Sequence, residues 1–531
     1  MFVDLRSVPD GHQFEADLCI VGAGAAGISI AREMLGSPYK VILLESGDFD
    51  INAQSATLNA ADNGADLELD LESFRARQFG GTTSMWGGNC SPLDPVDFVP
   101  RPWVRSSGWP IRHDELAPYW KRAQPLFELT ERGFDPDEWA RAEPDFAALR
   151  LPVDTDLVTE KLYQRSPRTN FGKRYRTDFQ PDDTNVTVLL DAVAVAIETT
   201  EDIRAVREIK IRTLTGHAHT VAARAFVLAA GIENARLLLL SNDRAPAGLG
   251  NAHDTVGRYF MEHLNLISGR LLIPGAEDLY RFYDPEGWAD HRWPTNVPMV
   301  IGLQPAAEVQ RTQEIGNYAA FIDRTFDGEE SAGYHALRRI VADLKHRHLN
   351  NQTGHDVGVL LSNFGSAVRA SWNRFCGSET SVYQIQHFFE QVPNPDSRIR
   401  LGDARDPLGQ PRLVAEWRTL DQDKLTWAIG QDHVARAIGA GGSGGRLQLE
   451  PAGPNHPWPE SLRQSSHFMG TTRMSENPRD GVVDADCRVH GLSNLYVAGG
   501  SVLPTGGCAM VTINIVALAL RLADHLKVRL A

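Results

Sequence analysis

The stretch ADLCIVGAGAAGISIAREMLGSPYKVILLESG, residues 16–47, decides the first half of the fold. Its apolar run predicts a strand over 17–21, then a glycine turn, a helix over 25–35 and a second strand over 40–44, which together make a βαβ unit. Each glycine of the turn has a separate job. Gly22 permits the tight turn, Gly24 lets the backbone approach a pyrophosphate, and Gly27 lets the helix pack closely on the strand. The helix N-terminus offers free N–H groups and the positive end of its dipole to phosphate. Glu45 closes the second strand, placed to accept hydrogen bonds from a ribose. An α/β, Rossmann-like dinucleotide-binding unit is the expectation.

Working outward, the chain of 531 residues, 42% hydrophobic and 23% charged, is long enough for two or three cores and too apolar for disorder. A net charge of −15 argues against nucleic acid and anionic membrane as partners, since both need clustered Lys and Arg. The five cysteines, Cys19, Cys90, Cys376, Cys487 and Cys508, form no CxxC pair and have no neighbouring metal-ligand histidine. Reduced buried thiols and no metal site are expected, in a cytoplasmic protein. The N-terminus lacks a basic head followed by an apolar run, and Asn514, Arg521 and Asp524 break the longest apolar stretch.

Further along lies RQFGGTTSMWGGNCSPLDPVDF, residues 77–98, a loop too rich in turn formers for regular structure. Strand character returns over 185–200 and again over 223–242, where a strand ends near Ala230 and Gly231 before a helix. The middle alternates strand-like runs such as SVYQIQHFFEQV with helical ones such as YHALRRIVADLKHRHLN. The tail gives a strand over 495–498, a glycine turn and a final helix. Residues 1–110, 186–263 and 463–531 are assigned to the nucleotide-binding domain. A separate α+β substrate-binding domain with its connecting segments takes 111–185 and 264–462. In QIQHFFEQ, alternation sends Gln384, Gln386, Phe388 and Glu390 to one face and Ile385, His387, Phe389 and Gln391 to the other. One face is expected to line a substrate pocket, with His387 as its substrate residue.

Four segments in order, GAGAAG with Glu45, FGGTTSMWGG, VLAAGIENARLLL, and SHFMGTTRM followed by NLYVAGGSVLPT, resemble the glucose–methanol–choline (GMC) oxidoreductases, and among them the bacterial pyranose oxidase and sugar dehydrogenase-like members. The resemblance is good over the nucleotide-binding segments and poor over the middle. It implies FAD, a fold of the GMC or p-hydroxybenzoate hydroxylase-like kind, and oxidation of a CH–OH group by hydride transfer to the flavin N5. The substrate it implies is a sugar, glycoside or other cyclic alcohol, with oxygen or another electron acceptor reoxidising the flavin. It further implies flavin contacts at Gly80, Gly81, Thr82, Met85, Trp86 and Gly87, an adenine contact at Ala194, nucleotide contacts at Ala230 and Gly231, and contacts at Gly499, Gly500, Val511 and Thr512 toward the pyrophosphate and pyrimidine.

The histidine of the family's His-x-x-Gly-Thr element, the base, is His467 here. The family's second catalytic histidine or asparagine aligns with Met510, whose thioether is a weak acceptor and donates nothing. A polar partner for the substrate oxygen must then come from elsewhere, Asn514 first, with Thr512 and Asn89 behind it. Met510 itself is expected in the catalytic corner and against substrate. A second departure is Met85, which stands where relatives with covalent flavin carry the linking histidine, so non-covalent FAD is expected. The lost polar partner also leaves open a non-standard reaction on the same fold, a desaturation, isomerisation or lyase step.

Overall fold

The strand expected over 17–21 begins earlier, as Gln13–Val21, and pairs in parallel with Val41–Leu44 on one side and Ala218–Leu228 on the other. These coordinates are a computed structural model describing residues 1–531 except 66, 68, 182, 273–280, 285–296, 327–330, 347–350, 377–380 and 443–444. The sheet extends through Val186–Leu190 to Phe2–Asp4 at one edge and through Val206–Arg212 to Val193–Thr199 at the other. Leu495–Val497 adds to it beside Ala218–Leu228. The run over 185–200 is therefore two strands, divided at Asp191, whose φ of 53° turns the chain. Likewise the strand expected to end near Gly231 stops at Leu228, and helix Glu233–Leu240 follows. Helices Ala25–Glu33 and Val511–Leu530 pack on each other, and both bury apolar side chains in the core over this sheet.

A second, antiparallel sheet runs Arg446–Gln448, Leu264–Leu272, Ser381–Phe389, Tyr318–Phe326, Met299–Pro305, Val158–Arg165, Asn89–Cys90, with Arg463–Gln464 also paired to Leu264–Leu272. One face is closed by helix Asp421–Ala440, where Trp427, Val434 and Ile438 meet Tyr318, Ile385 and Phe389 in a second core. Three helices, Ala332–His346, Asn351–Ser362 and Phe364–Cys376, lie in sequence between Tyr318–Phe326 and Ser381–Phe389. The helical run expected over 334–350 is described as far as His346, and its last four residues lie outside the described residues.

The cores divide the chain differently from the sequence assignment. Ile111, Leu116, Trp120, Phe127, Phe171 and Phe179 join the first core, although 111–185 was assigned to the second unit. Asn89–Cys90 and Arg463–Gln464 join the second sheet from segments assigned to the first. The chain crosses between layers repeatedly, and a short segment follows the layer it pairs with rather than its neighbours in sequence. Cys19, Cys90, Cys487 and Cys508 are free and buried, whereas the side chain of Cys376 lies outside the described residues. Among the described residues no helix is long and apolar enough to cross a membrane.

Candidate functional site

The glycine turn opens onto a cleft of about 240 Å³ lined by Gly22, Gly24, Glu45, Gly81, Thr82, Trp86, Ala230, Gly231, His467, Gly499, Gly500, Val511 and Thr512. The three glycines of the turn divide their tasks by geometry. At Gly22, φ is +104° and a Cβ would stand 2.7 Å from the Ala229 carbonyl oxygen. At Gly27 a Cβ would stand 1.9 Å from the Gly22 oxygen, so Gly27 serves packing and lies outside the cleft lining. At Gly24 a Cβ would meet no atom of the described residues within 4 Å, leaving the backbone open to a ligand. Gly24 also N-caps helix Ala25–Glu33 without a side-chain acceptor, so first-turn N–H groups stay available.

The far wall repeats this arrangement. Met510 N-caps helix Val511–Leu530 with no side-chain hydrogen bond, and Val511, Thr512 and Ile515 from its first turns line the cleft. Two uncapped helix starts facing one cleft suit a ligand that carries negative charge at separated places. Glu45 is buried, its Oε2 accepting from Ala23 N at 3.1 Å and its Oε1 from Gly47 N at 2.9 Å, and burial pushes its carboxyl up to about 7. These features fit a dinucleotide cofactor.

His467 is brought to the cleft by a pairing of segments distant in sequence. Met261 and Met469 bond reciprocally, Met261 N to Met469 O at 3.0 Å and Met469 N to Met261 O at 2.9 Å. Gly470, at φ +84°, permits this contact, since a Cβ there would lie 2.1 Å from the Tyr259 oxygen. The buried carboxylate oxygen Oε1 of Glu262 accepts from the backbone N–H of His263 at 2.8 Å and of His467 at 2.7 Å. His263, fully buried, thereby stands with Nδ1 2.8 Å from His467 Nδ1. Its Nε2 faces the carbonyl oxygens of Gly507 at 2.9 Å and Gly506 at 3.3 Å. Phe388 packs against both rings, 4.6 Å from His263 and 6.0 Å from His467 between centroids. Burial pushes His263 down to about 4; burial and the neighbouring His263 hold His467 well below the ordinary 6.5.

The alternating strand turns its Phe388 face toward His467, and this corrects the expectation for His387. His387 lies on the opposite face, where Ser268 Oγ at 2.9 Å and Tyr318 Oη at 2.6 Å occupy its two ring nitrogens beside Trp427. Asn514 is also corrected. It is fully buried, its Oδ1 accepting from Leu93 N at 3.1 Å and Trp120 Nε1 at 2.8 Å while its Nδ2 donates to Ser91 O at 3.2 Å and Met510 O at 2.9 Å. With donors and acceptors engaged, Asn514 anchors the helix instead of meeting substrate. Met510 packs in a small buried cluster with Tyr163, Val300, Ala319, Phe321, Phe388 and Cys508. The corner next to the histidine pair is therefore apolar.

Gly80, Met85, Gly87 and Ala194 do not line the cleft, and neither does Met510, which packs behind it in its own apolar cluster. Gly80 supports it from behind, donating to Ala23 O at 2.8 Å and lying too close to Gly172 to carry a side chain. Ala194 sits in a strand paired to Ile211, so the adenine contact expected there has no counterpart in the cleft wall. Sequence reasoning missed Arg75, Arg77, Glu233 and Phe468, which do line it. Burial opposes ionisation of Glu233, but Arg77, Arg236 and Arg75 outweigh it and hold the carboxyl at about 2. It missed His263 as well; the signal for it is a Glu-His pair, Glu262 and His263, inside the largely apolar run FMEHLNLI.

The FAD dependent oxidoreductase family model matches residues 17–293, slightly over half the chain. The GMC oxidoreductase model matches residues 393–519, the segment that carries His467, Gly499 and Met510. The chain is a GMC oxidoreductase. As such it is an FAD-dependent enzyme. This GMC oxidoreductase is 24% identical to a 2-methyl-1,2-propanediol dehydrogenase of Mycolicibacterium austroafricanum, over 97% of this chain and 96% of the relative. It is 27% identical to the fructose dehydrogenase large subunit of Gluconobacter japonicus, over 96% and 97%. To the paromamine 6'-oxidase of Streptomyces fradiae it is 25% identical, over 96% and 90%. Among solved structures, a formate oxidase variant of Aspergillus oryzae RIB40 shares the fold with a TM-score of 0.55 at 17% identity, covering 98% and 99% of the two chains. A pyridoxine 4-oxidase from Mesorbium loti gives 0.52 at 18% identity, over 96% and 98%.

Proposed function

We propose that this enzyme oxidises a CH–OH group with His467 as the base, on a small diol, sugar or other cyclic alcohol. The observation that carries the reading is the placement of His467 on the cleft wall that also holds the two glycine turns and both uncapped helix starts. FAD, when bound in this cleft, would supply a two-electron acceptor for the hydride of the C–H bond. Gly24, Gly81 and the helix starts at Ala25 and Val511 would hold its charged and polar parts, and Glu45 would take the ribose hydroxyls. Neutral His467 takes the hydroxyl proton as hydride departs. Phe388, Phe321 and Met510 exclude water from that side, and their register places Gln386 and Asn265, bonded at 3.2 Å, next along the same face. A substrate with an apolar part near the reacting carbon and a hydroxyl farther out suits this wall. The three relatives are named for 2-methyl-1,2-propanediol, fructose and paromamine, which gives the substrate panel.

Anaerobic mixing of the holoenzyme with these compounds and with apolar alcohols should bleach the flavin for at least one class. His467→Ala should keep FAD and slow that bleaching by about two to four orders of magnitude. Because the imidazolium of His467 is a stronger acid than usual, the rate should stay level through neutral pH and fall only below about 6.5. Unchanged bleaching in the variant refutes the base assignment. Turnover without net bleaching supports the second reading, a desaturation, isomerisation or lyase step, favoured by the absence of a polar residue at Met510. We further propose non-covalent FAD, because Met85 cannot form the histidyl link; acid or heat should release the yellow colour, and colour left in the precipitate refutes it.

A further inference from the structure

We infer that His263 is a positioning residue that locks His467 in one tautomer, with Nδ1 protonated and Nε2 carrying the lone pair. The inference rests on the reading of His467 as base, and it follows from counting donors. The oxygens of Gly506 and Gly507 only accept, so the His263 nitrogen 2.9 Å and 3.3 Å from them must carry a proton. A fully buried imidazole whose one nearby acid, Glu390, is already paired with Arg101 stays neutral, so its other nitrogen, Nδ1, holds a lone pair. That lone pair lies 2.8 Å from His467 Nδ1. The opposite tautomer of His467 would set two lone pairs against each other at hydrogen-bond distance. His467 must therefore donate from Nδ1, which leaves Nε2 as its basic nitrogen.

The surroundings leave no competing proton donor at Nδ1. Glu262 faces the pair from the neighbouring backbone, but its Oε1 is taken up by the two amide N–H groups and its Oε2 makes no hydrogen bond among the described residues. Glu390 is the other acid near His263, and it is neutralised by Arg101 through two contacts of 2.7 Å, both side chains fully buried. The carbonyls are held equally firmly. Gly507 adopts φ +55° against Asp97, where a Cβ would lie 2.3 Å from the carboxylate, and Thr505 donates to Asp97 O at 3.0 Å. An ordinary orienting carboxylate would favour the imidazolium form of its histidine. A neutral imidazole orients without that bias, so the base returns its proton readily after each turnover.

The test uses the FAD-loaded enzyme with ¹⁵N-labelled histidine. Long-range ¹H–¹⁵N correlation of the wild type, assigned by loss of signals in His467→Ala, should show a proton-free His467 Nε2 and a protonated Nδ1. The reverse pattern overturns the proposal whatever the kinetics. His263→Phe keeps a ring of similar size and removes the acceptor; it should mix the two tautomers and slow flavin reduction about ten- to a hundredfold, the scale of one lost hydrogen bond to a catalytic group. His263→Asn can present an amide oxygen at the Nδ1 position and should restore a single tautomer and most of the rate. The visible flavin spectrum confirms that each variant is folded. A single unchanged tautomer in His263→Phe also overturns the proposal. Failure of the base reading is recognised separately, as undiminished reduction in His467→Ala.

Discussion

At the scale of single residues the unusual position is Met510, an apolar side chain one helical start away from the histidine pair. A polar residue there would add a donor to the developing alkoxide, worth about 2.7–4 kcal/mol where such donors are well placed. In this chain the thioether instead fills a cluster with Tyr163, Phe388 and Cys508, and Asn514 has no free amide to replace it. Met510→Asn should therefore slow flavin reduction by a substrate with an apolar body, through lost contact and an unpaired amide, and modestly speed reduction by a small polyol. Stopped-flow reduction with both substrates in wild type and variant checks this; equal rates for both would reduce Met510 to filler. His467 was legible as a cleft residue because it sits in a motif with fixed spacing. His263 was not, because its partner is 204 positions away and the two meet only in the fold, through the Met261–Met469 pairing and the Glu262 carboxyl.

At the scale of elements, the final helix shows why a residue can be noticed correctly and read wrongly. Asn514 lies one turn beyond Met510, on the helix that borders the cleft, and spacing alone cannot say that Trp120 and residues 91–93 wait behind it. Asn514→Leu would leave the Trp120 indole N–H, the Leu93 N–H and two carbonyls buried without it. The expected result is destabilisation by about 2–5 kcal/mol in thermal melts, while molecules that keep FAD reduce it within about threefold of the wild-type rate. A specific loss of reduction rate with unchanged stability would return Asn514 to the catalytic list. The same limit applies to Ser381–Phe389. Alternation separated Phe388 from His387, but both residues are buried, so polarity could not say which face turns to the cleft. The order of the βαβ unit, the start of its helix and the ends of both its strands were read correctly because glycine spacing and strand period agree there, while the first strand begins four residues earlier than expected and the helix ends two residues sooner.

At the scale of the whole molecule, Glu262 ties the entry to Leu264–Leu272 to the loop of His467, joining segments distant in sequence beside the site. Its second oxygen has no hydrogen-bond partner among the described residues, and burial raises its pKa to about 8. In the unfolded chain a glutamate ionises near 4.3. Between about 4.3 and 8 the folded state therefore binds more protons than the unfolded one, and stability falls as pH rises through that window. His263 acts at the other end: its folded pKa of about 4 lies below the ordinary 6.5, so its contribution is lost as pH falls from 6.5 toward 4. Glu262→Gln removes only the first effect, since the amide oxygen still accepts the two N–H groups and carries no charge to bury. Melting temperatures of variant and wild type should nearly coincide at pH 5 and separate progressively toward pH 8, with the variant higher. A variant that melts lower at pH 8 than at pH 5, relative to wild type, would mean that Glu262 is ionised in the folded protein and that its charge, held by the amides of His263 and His467, stabilises the joint between these two segments.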